Sequence, residues 1–231
     1  MGRIAANEPW SHIWMAHQRR DAYWQQGLIC QDFSAIKALV YAVSGWADNY
    51  SEAIPRLLKN LSGPRLGLIG PWAHSFPHDV TVGPAIGWLQ ECLRWLDHWH
   101  KGSETGIMDE PMLRVWMEDS TPPRTCYTEK AGRWVGEATW PSSKITSDMQ
   151  HLNLGGRREP VPATGEATIC SPLWVGLGSE EIDRYGDDAD WAADQREDDA
   201  GSMVFIGQPN YSTYEILSAP QLQLRLRSDK R

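Results

Sequence analysis

Two apolar runs joined by one amphipathic stretch limit what this chain can fold into more than any other feature. "VYAVSGW", residues 40–46, and "RLGLIG", residues 65–70, each read as a buried strand. Between them "SEAIPRLLKNL" sets Ile54, Leu57, Leu58 and Leu61 on one helical face. Pro55 fits such a helix if it falls in the first turn. Strand, helix and strand within roughly 30 residues make a right-handed crossover, so the strands are expected to run parallel and their following loops to open at one edge of the sheet.

Each of those loops delivers one ionisable side chain, Asp48 in "GWADNY" and His74 in "GPWAH". Groups at the carboxyl ends of parallel strands are presented by loops while the sheet stays rigid. A carboxylate beside a histidine fixes its tautomer and stabilises the imidazolium, and the order Asp then His is that of the last two members of an α/β-hydrolase triad. The alternative is that Asp48 caps the following helix and His74 is a packed loop residue. Spacing leaves both readings open.

Around this unit, residues 10–26 have a roughly helical apolar spacing. "GWLQECLRWLDHWHKG", residues 87–102, predicts a helix that packs Leu89, Cys92, Leu93, Leu96 and Trp99 on the sheet and closes at Gly102. From about residue 112 short alternating stretches separated by Pro and Gly predict a second, β-rich domain. Residues 180–200 hold ten acidic residues against two arginines and read as an exposed loop. "DDAD" there lacks the Gly and distal Glu of a calcium loop, so no metal is expected.

Composition removes several classes of function. A net charge of −8 with no basic tract argues against nucleic acid and anionic membranes as partners. No run reaches the roughly 20 apolar residues of a spanning helix, and "MGRIAANEPWSHIW" lacks the apolar core of a secretory signal, so a cytoplasmic location is expected. Cys30, Cys92, Cys126 and Cys170 lie far apart with no CxxC and are read as buried structural thiols. His98 and His100 diverge on a helix, and His12 and His17 have no usable spacing.

Taken together, "GWADNY", "GPWAH", "WLDHWHKG", "PMLRVWMED" and "DQREDDAGSMVF" resemble, in order and over nearly the whole chain, the C-terminal half of the cocaine esterase and X-prolyl dipeptidyl-peptidase type of α/β-hydrolase. The resemblance implies that Asp48 is the triad acid and His74 the base. It also makes Tyr50 and Trp46 candidate substrate contacts. Asn49 stands where the family usually has Gly, but it tolerates the left-handed backbone region. The implied fold class is α/β, a partial α/β-hydrolase sheet followed by an incomplete β jelly roll. Residues 1–111 would be the C-terminal part of the catalytic domain, with a residual helical cap at 1–26, and residues 112–231 the partial jelly roll.

The family's nucleophilic serine sits in a G-x-S-x-G elbow, and these residues contain no such turn. The chain is therefore expected to be a fragment, inactive alone, acting without a cofactor on a small ester or peptide and completed by an N-terminal half or a homo-oligomer partner. Two other classes stay open. One is a non-catalytic jelly-roll module that binds carbohydrate or protein. The other is a metal site of His74 and His78 with Asp79 or Asp48, which Pro77 disfavours by breaking the helical spacing of the two histidines.

Overall fold

In the computed structural model, which describes residues 9–122, 124, 127–153, 157–159, 165–177, 195–217 and 220–229, the two apolar runs are strands β1 (Val40–Gly45) and β2 (Arg65–Gly70). Every residue of β2 after Arg65 is buried, as in a strand covered on both faces. Between the strands, α3 (Ala53–Asn60) turns Ile54 and Leu58 into the core. Pro55 is its third residue, where a missing N–H leaves no intrahelical bond unmade. Trp46 N–H bonds Gly70 O at 2.9 Å and Ala47 N–H bonds Trp72 O at 3.1 Å, so the two segments advance together and the strands run parallel.

The sheet continues through β3 (Leu113–Glu118) and β4 (Gly132–Glu137), giving the order β1-β2-β3-β4. β3 is parallel to β2, with Gly67 opposite Leu113, and antiparallel to β4, with Trp116 opposite Trp134. β3, which begins just past residue 112, thus pairs with a strand that precedes it. The alternation in "MLRVWMED" marks a strand with one face on a core, here with Leu113 and Val115 fully buried, and alternation cannot say which sheet the strand joins.

Helix α4 (Trp88–Lys101) ends as expected, at Gly102 in the left-handed region (φ 67°), but it faces the sheet differently. Leu89, Leu93 and Leu96 are exposed, at 56%, 58% and 45%. Trp88 and Trp95 instead pack on Tyr41, with ring centroids 5.4 and 5.5 Å away. Glu91 is the polar centre of that face. It accepts from Arg114 of β3 at 2.9 Å and from Arg94 at 2.7 Å, and Arg114 also donates to the Tyr41 hydroxyl. A helix with apolar residues on two faces goes inward on the one that also satisfies the half-buried Arg114.

Burial pushes the Glu91 carboxyl up, but the Arg114 and Arg94 guanidiniums outweigh it and hold the group below its ordinary range. Burial likewise keeps the Tyr41 hydroxyl protonated well above the usual tyrosine range, against the opposing charge of Arg114. A carboxyl depressed in the folded state contributes stability above its unfolded pKa and loses it as pH falls through the folded value. Glu91→Gln is therefore expected to cost about 1–3 kcal/mol at pH 7. In thermal melts across pH, the gap to wild type should close as the medium becomes strongly acidic.

The chain divides into two compact units, Met1–Val40 with Asn60–Pro64, and Tyr41–Lys59 with Arg65–Arg231. In the first, the expected helical stretch is broken into α1 (Trp10–Ala16) and α2 (Ala22–Gln25). Asp21 explains the break. It caps α2 by accepting from Tyr23 N–H at 3.0 Å and also meets His17 Nδ1 at 2.6 Å. The His17 hydrogen bond is the main reason that the Asp21 carboxyl lies below its ordinary range.

Beyond β4, the strands among the described residues are β5 (His151–Asn153) and β6 (Arg157–Glu159), an antiparallel pair. Residues 180–194 of the acidic stretch, including Asp188, lie outside the described residues, as does Cys126. The described end of that stretch is exposed, as expected, except at Asp198, but it is helical rather than a loop. It forms α5 (Arg196–Ala200), whose Asp198 is buried and accepts from Gly176 N–H at 2.7 Å. Cys30 and Cys170 are exposed rather than buried, and Cys92 is half-buried. Among the described residues no helix is long and apolar enough to cross a membrane, and no cluster of three or more His, Cys, Asp or Glu could hold a metal ion.

Candidate active site

Gly45 ends β1 and Gly70 ends β2, and the turns that follow lie against each other. A Cβ added at Gly45 would stand 1.8 Å from the carbonyl oxygen of Trp72, so the two backbones touch where any side chain would block them. Asp48 N–H closes the first turn onto Gly45 O at 3.1 Å, and Ala47 N–H bonds Trp72 O in the second. These contacts bring the two ionisable side chains together. Asp48 Oδ2 lies 3.1 Å from His74 Nδ1. The Asp48 side chain is 10% exposed and that of His74 42%.

A carboxylate only accepts, so the imidazole atom facing it must be Nδ1–H, which makes Nε2 the ring's proton-accepting atom. The second carboxylate oxygen, Oδ1, accepts from Tyr50 N–H at 2.8 Å. Asp48 therefore serves its own turn with one oxygen and His74 with the other. Tyr50 is 67% exposed, and its ring lies 6.1 Å from that of His74. Trp46 is half-buried, and its indole N–H is spent on Trp116 O at 2.7 Å. His78 and Asp79 are exposed.

Residues 105–231, more than half of the chain, match the X-Pro dipeptidyl-peptidase C-terminal non-catalytic domain. Residues 1–76, which contain both Asp48 and His74, match the X-Pro dipeptidyl-peptidase S15 family. The chain belongs to the X-Pro dipeptidyl-peptidase family. A Mycobacterium bovis protein described as a serine esterase is 32% identical over 133 residues, 54% of this chain and 18% of its own length. A Bacillus cereus protein described as a Xaa-Pro dipeptidyl-peptidase is 29% identical over 126 residues, 52% of this chain and 20% of its own. The match thus spans about a fifth of these curated relatives. Among solved structures, a CocE/NonD family hydrolase from Staphylococcus aureus is similar over 67% of this chain and 26% of its own, with 14% identity and a TM-score of 0.48. X-Pro dipeptidyl-peptidases and their esterase relatives are serine hydrolases, and the mixed sheet, with its strand–helix–strand crossover, fits part of an α/β-hydrolase sheet.

Two residues that hold this site were not singled out in the sequence, Trp72 and Trp116. Trp72 is 1% exposed and donates its indole N–H to Pro84 O at 2.8 Å. A readable signal existed, since a tryptophan stands two positions before each ionisable residue, Trp46 before Asp48 and Trp72 before His74.

Proposed function

We propose that this chain supplies the acid and base of a serine hydrolase acting on ester or X-Pro peptide bonds. The supporting observation is the contact between Asp48 Oδ2 and His74 Nδ1 at the carboxyl ends of adjacent parallel strands, inside the segment matched to the S15 family. In this reading a serine hydroxyl attacks the scissile carbonyl while His74 takes its proton and later returns it to the leaving group. Asp48 holds the Nδ1–H tautomer and stabilises the imidazolium. Tyr50, exposed beside His74, contacts the acyl part of the substrate.

The serine and the oxyanion donors that accompany an elbow come from a polypeptide segment other than these 231 residues. The region after β4 is the family's partial jelly roll and takes no part in the chemistry. Cofactor and metal have no role in this reaction.

The purified chain is accordingly expected to show no turnover of a nitrophenyl ester. Mixing it with a separately expressed N-terminal segment of a close relative that carries the G-x-S-x-G turn should produce activity that His74→Ala abolishes. Turnover by the chain alone, lost in His74→Ala, would overturn the proposal that the nucleophile lies elsewhere. A mixture as active with His74→Ala as without it would overturn the assignment of the base.

A further inference from the structure

Five hydrogen-bonded links around the Asp48–His74 pair join into a closed circuit. Trp46 Nε1 donates to Trp116 O at 2.7 Å, and Trp116 Nε1 donates to Lys130 O at 3.1 Å. The segment at Lys130 pairs with the one at Gly83, through Lys130 N–H to Gly83 O at 3.1 Å and Gly83 N–H to Thr128 O at 3.0 Å. The next carbonyl, of Pro84, accepts from Trp72 Nε1 at 2.8 Å. Trp72 O then accepts from Ala47 N–H, which returns the path to the turn of Trp46 and Asp48. Each turn is thus tied twice, to the other turn by backbone and to the framework by an indole.

We infer that Trp46, Trp72 and Trp116 are positioning residues that set the Asp48–His74 geometry through their indole N–H groups, and that Trp46 serves the site in this way rather than as a substrate contact. The inference deepens the hydrolase reading and rests on it for its catalytic meaning. An indole N–H is a donor only, and burying it without an acceptor is costly, so each of these bonds fixes a ring in one place. The ring in turn fixes the turn two residues before the reacting side chain. Catalytic groups need such support, because a displacement of about 1 Å can cost a hundredfold in rate.

Phenylalanine keeps a flat apolar ring and removes the N–H, so Trp→Phe tests the bond apart from the packing. Trp134 is the control. Its ring lies 5.3 Å from Trp116 and 6.1 Å from Trp72, while its N–H takes no part in the circuit. Long-range proton–nitrogen correlation spectra of the His74 ring, recorded well below the melting temperature at a pH where the ring is neutral, read its tautomer directly. Wild type should show the Nδ1–H form alone. Trp46→Phe and Trp72→Phe should give a mixture with the Nε2–H form, whereas Trp134→Phe should keep the single form.

If the first two variants also keep the single form, or if Trp134→Phe loses it equally, the circuit does not position the pair. Should Trp72→Phe fail to fold, Trp46→Phe and Trp116→Phe, both at half-buried tryptophans, carry the same test. Because the spectrum needs no turnover, a failure here is separable from failure of the hydrolase reading. Loss of the tautomer with no effect of His74→Ala on reconstituted activity would leave the brace standing and remove the catalysis.

Discussion

Gly45→Ala is expected to prevent this chain from folding, or to lower its melting temperature by about 10 °C or more. The new Cβ would lie 1.8 Å from Trp72 O and 2.3 Å from Trp72 C, both backbone atoms that cannot rotate away. Trp72 cannot retreat either, since it is 1% exposed and its indole is bonded to Pro84. Overpacking a core commonly costs about 1–3 kcal/mol when side chains can adjust, and more when the backbone must move. A loss above about 4 kcal/mol is a large part of the whole stability of a domain and, at roughly 2–4 °C per kcal/mol, accounts for the shift.

Gly102→Ala supplies the contrast. Nothing lies within 4 Å of the added Cβ, and the only penalty is the left-handed backbone at φ 67°. That cost is about 1–2 kcal/mol, or a few degrees. Differential scanning calorimetry of both variants distinguishes crowding from backbone strain. Equal melting temperatures for Gly45→Ala and wild type would mean that the two turns do not touch as described.

In the reconstituted hydrolase, Asp48→Asn is expected to lower kcat by about four orders of magnitude while leaving binding nearly intact. The amide is the same size as the carboxylate but presents an N–H as well as an oxygen, so it can hold His74 in the wrong tautomer and cannot stabilise the imidazolium. His74→Ala should cost at least as much, because it removes the proton carrier itself. The two together should lose little more than the worse single variant, since residues acting as one unit are not additive. Steady-state kinetics of the double-mutant cycle checks this, and independent, additive losses would show that Asp48 and His74 do not work as a pair.

Why some of this was legible in the sequence and some not follows from the kind of signal each feature leaves. β1 and β2 are mainly apolar runs that each end at a glycine, and the crossover geometry then sets their loops at one edge, so the meeting of Asp48 and His74 could be expected from short-range pattern. Helix α4 was legible in extent and in its closing glycine, yet its inward face was not. Both Leu89–Leu93–Leu96 and Trp88–Trp95 have helical spacing, and the choice was made by Glu91 meeting Arg114, 23 positions away.

The same limit explains β3. Its alternation announces a half-buried strand, while its pairing with β2 is a matter of tertiary contact. Indole-to-carbonyl bonds such as Trp46 to Trp116, 70 positions apart, have no periodicity at all. Asp198 shows the converse case, a buried acceptor concealed in a run of acids whose composition reads as solvated surface.

The tryptophans around the site also give it an optical identity. Trp134 lies between Trp116 and Trp72, at 5.3 and 6.1 Å, with ring planes inclined by 72° and 55°. Indoles held this close at fixed, oblique angles couple their electronic transitions, and that coupling contributes near-ultraviolet circular dichroism only while the angles persist. A state that keeps its helices and strands but loses its packing keeps the far-ultraviolet signal and loses the near-ultraviolet one. The part of that signal lost in Trp134→Phe therefore reports the packing of Trp72 and Trp116 during refolding, with no substrate or partner present.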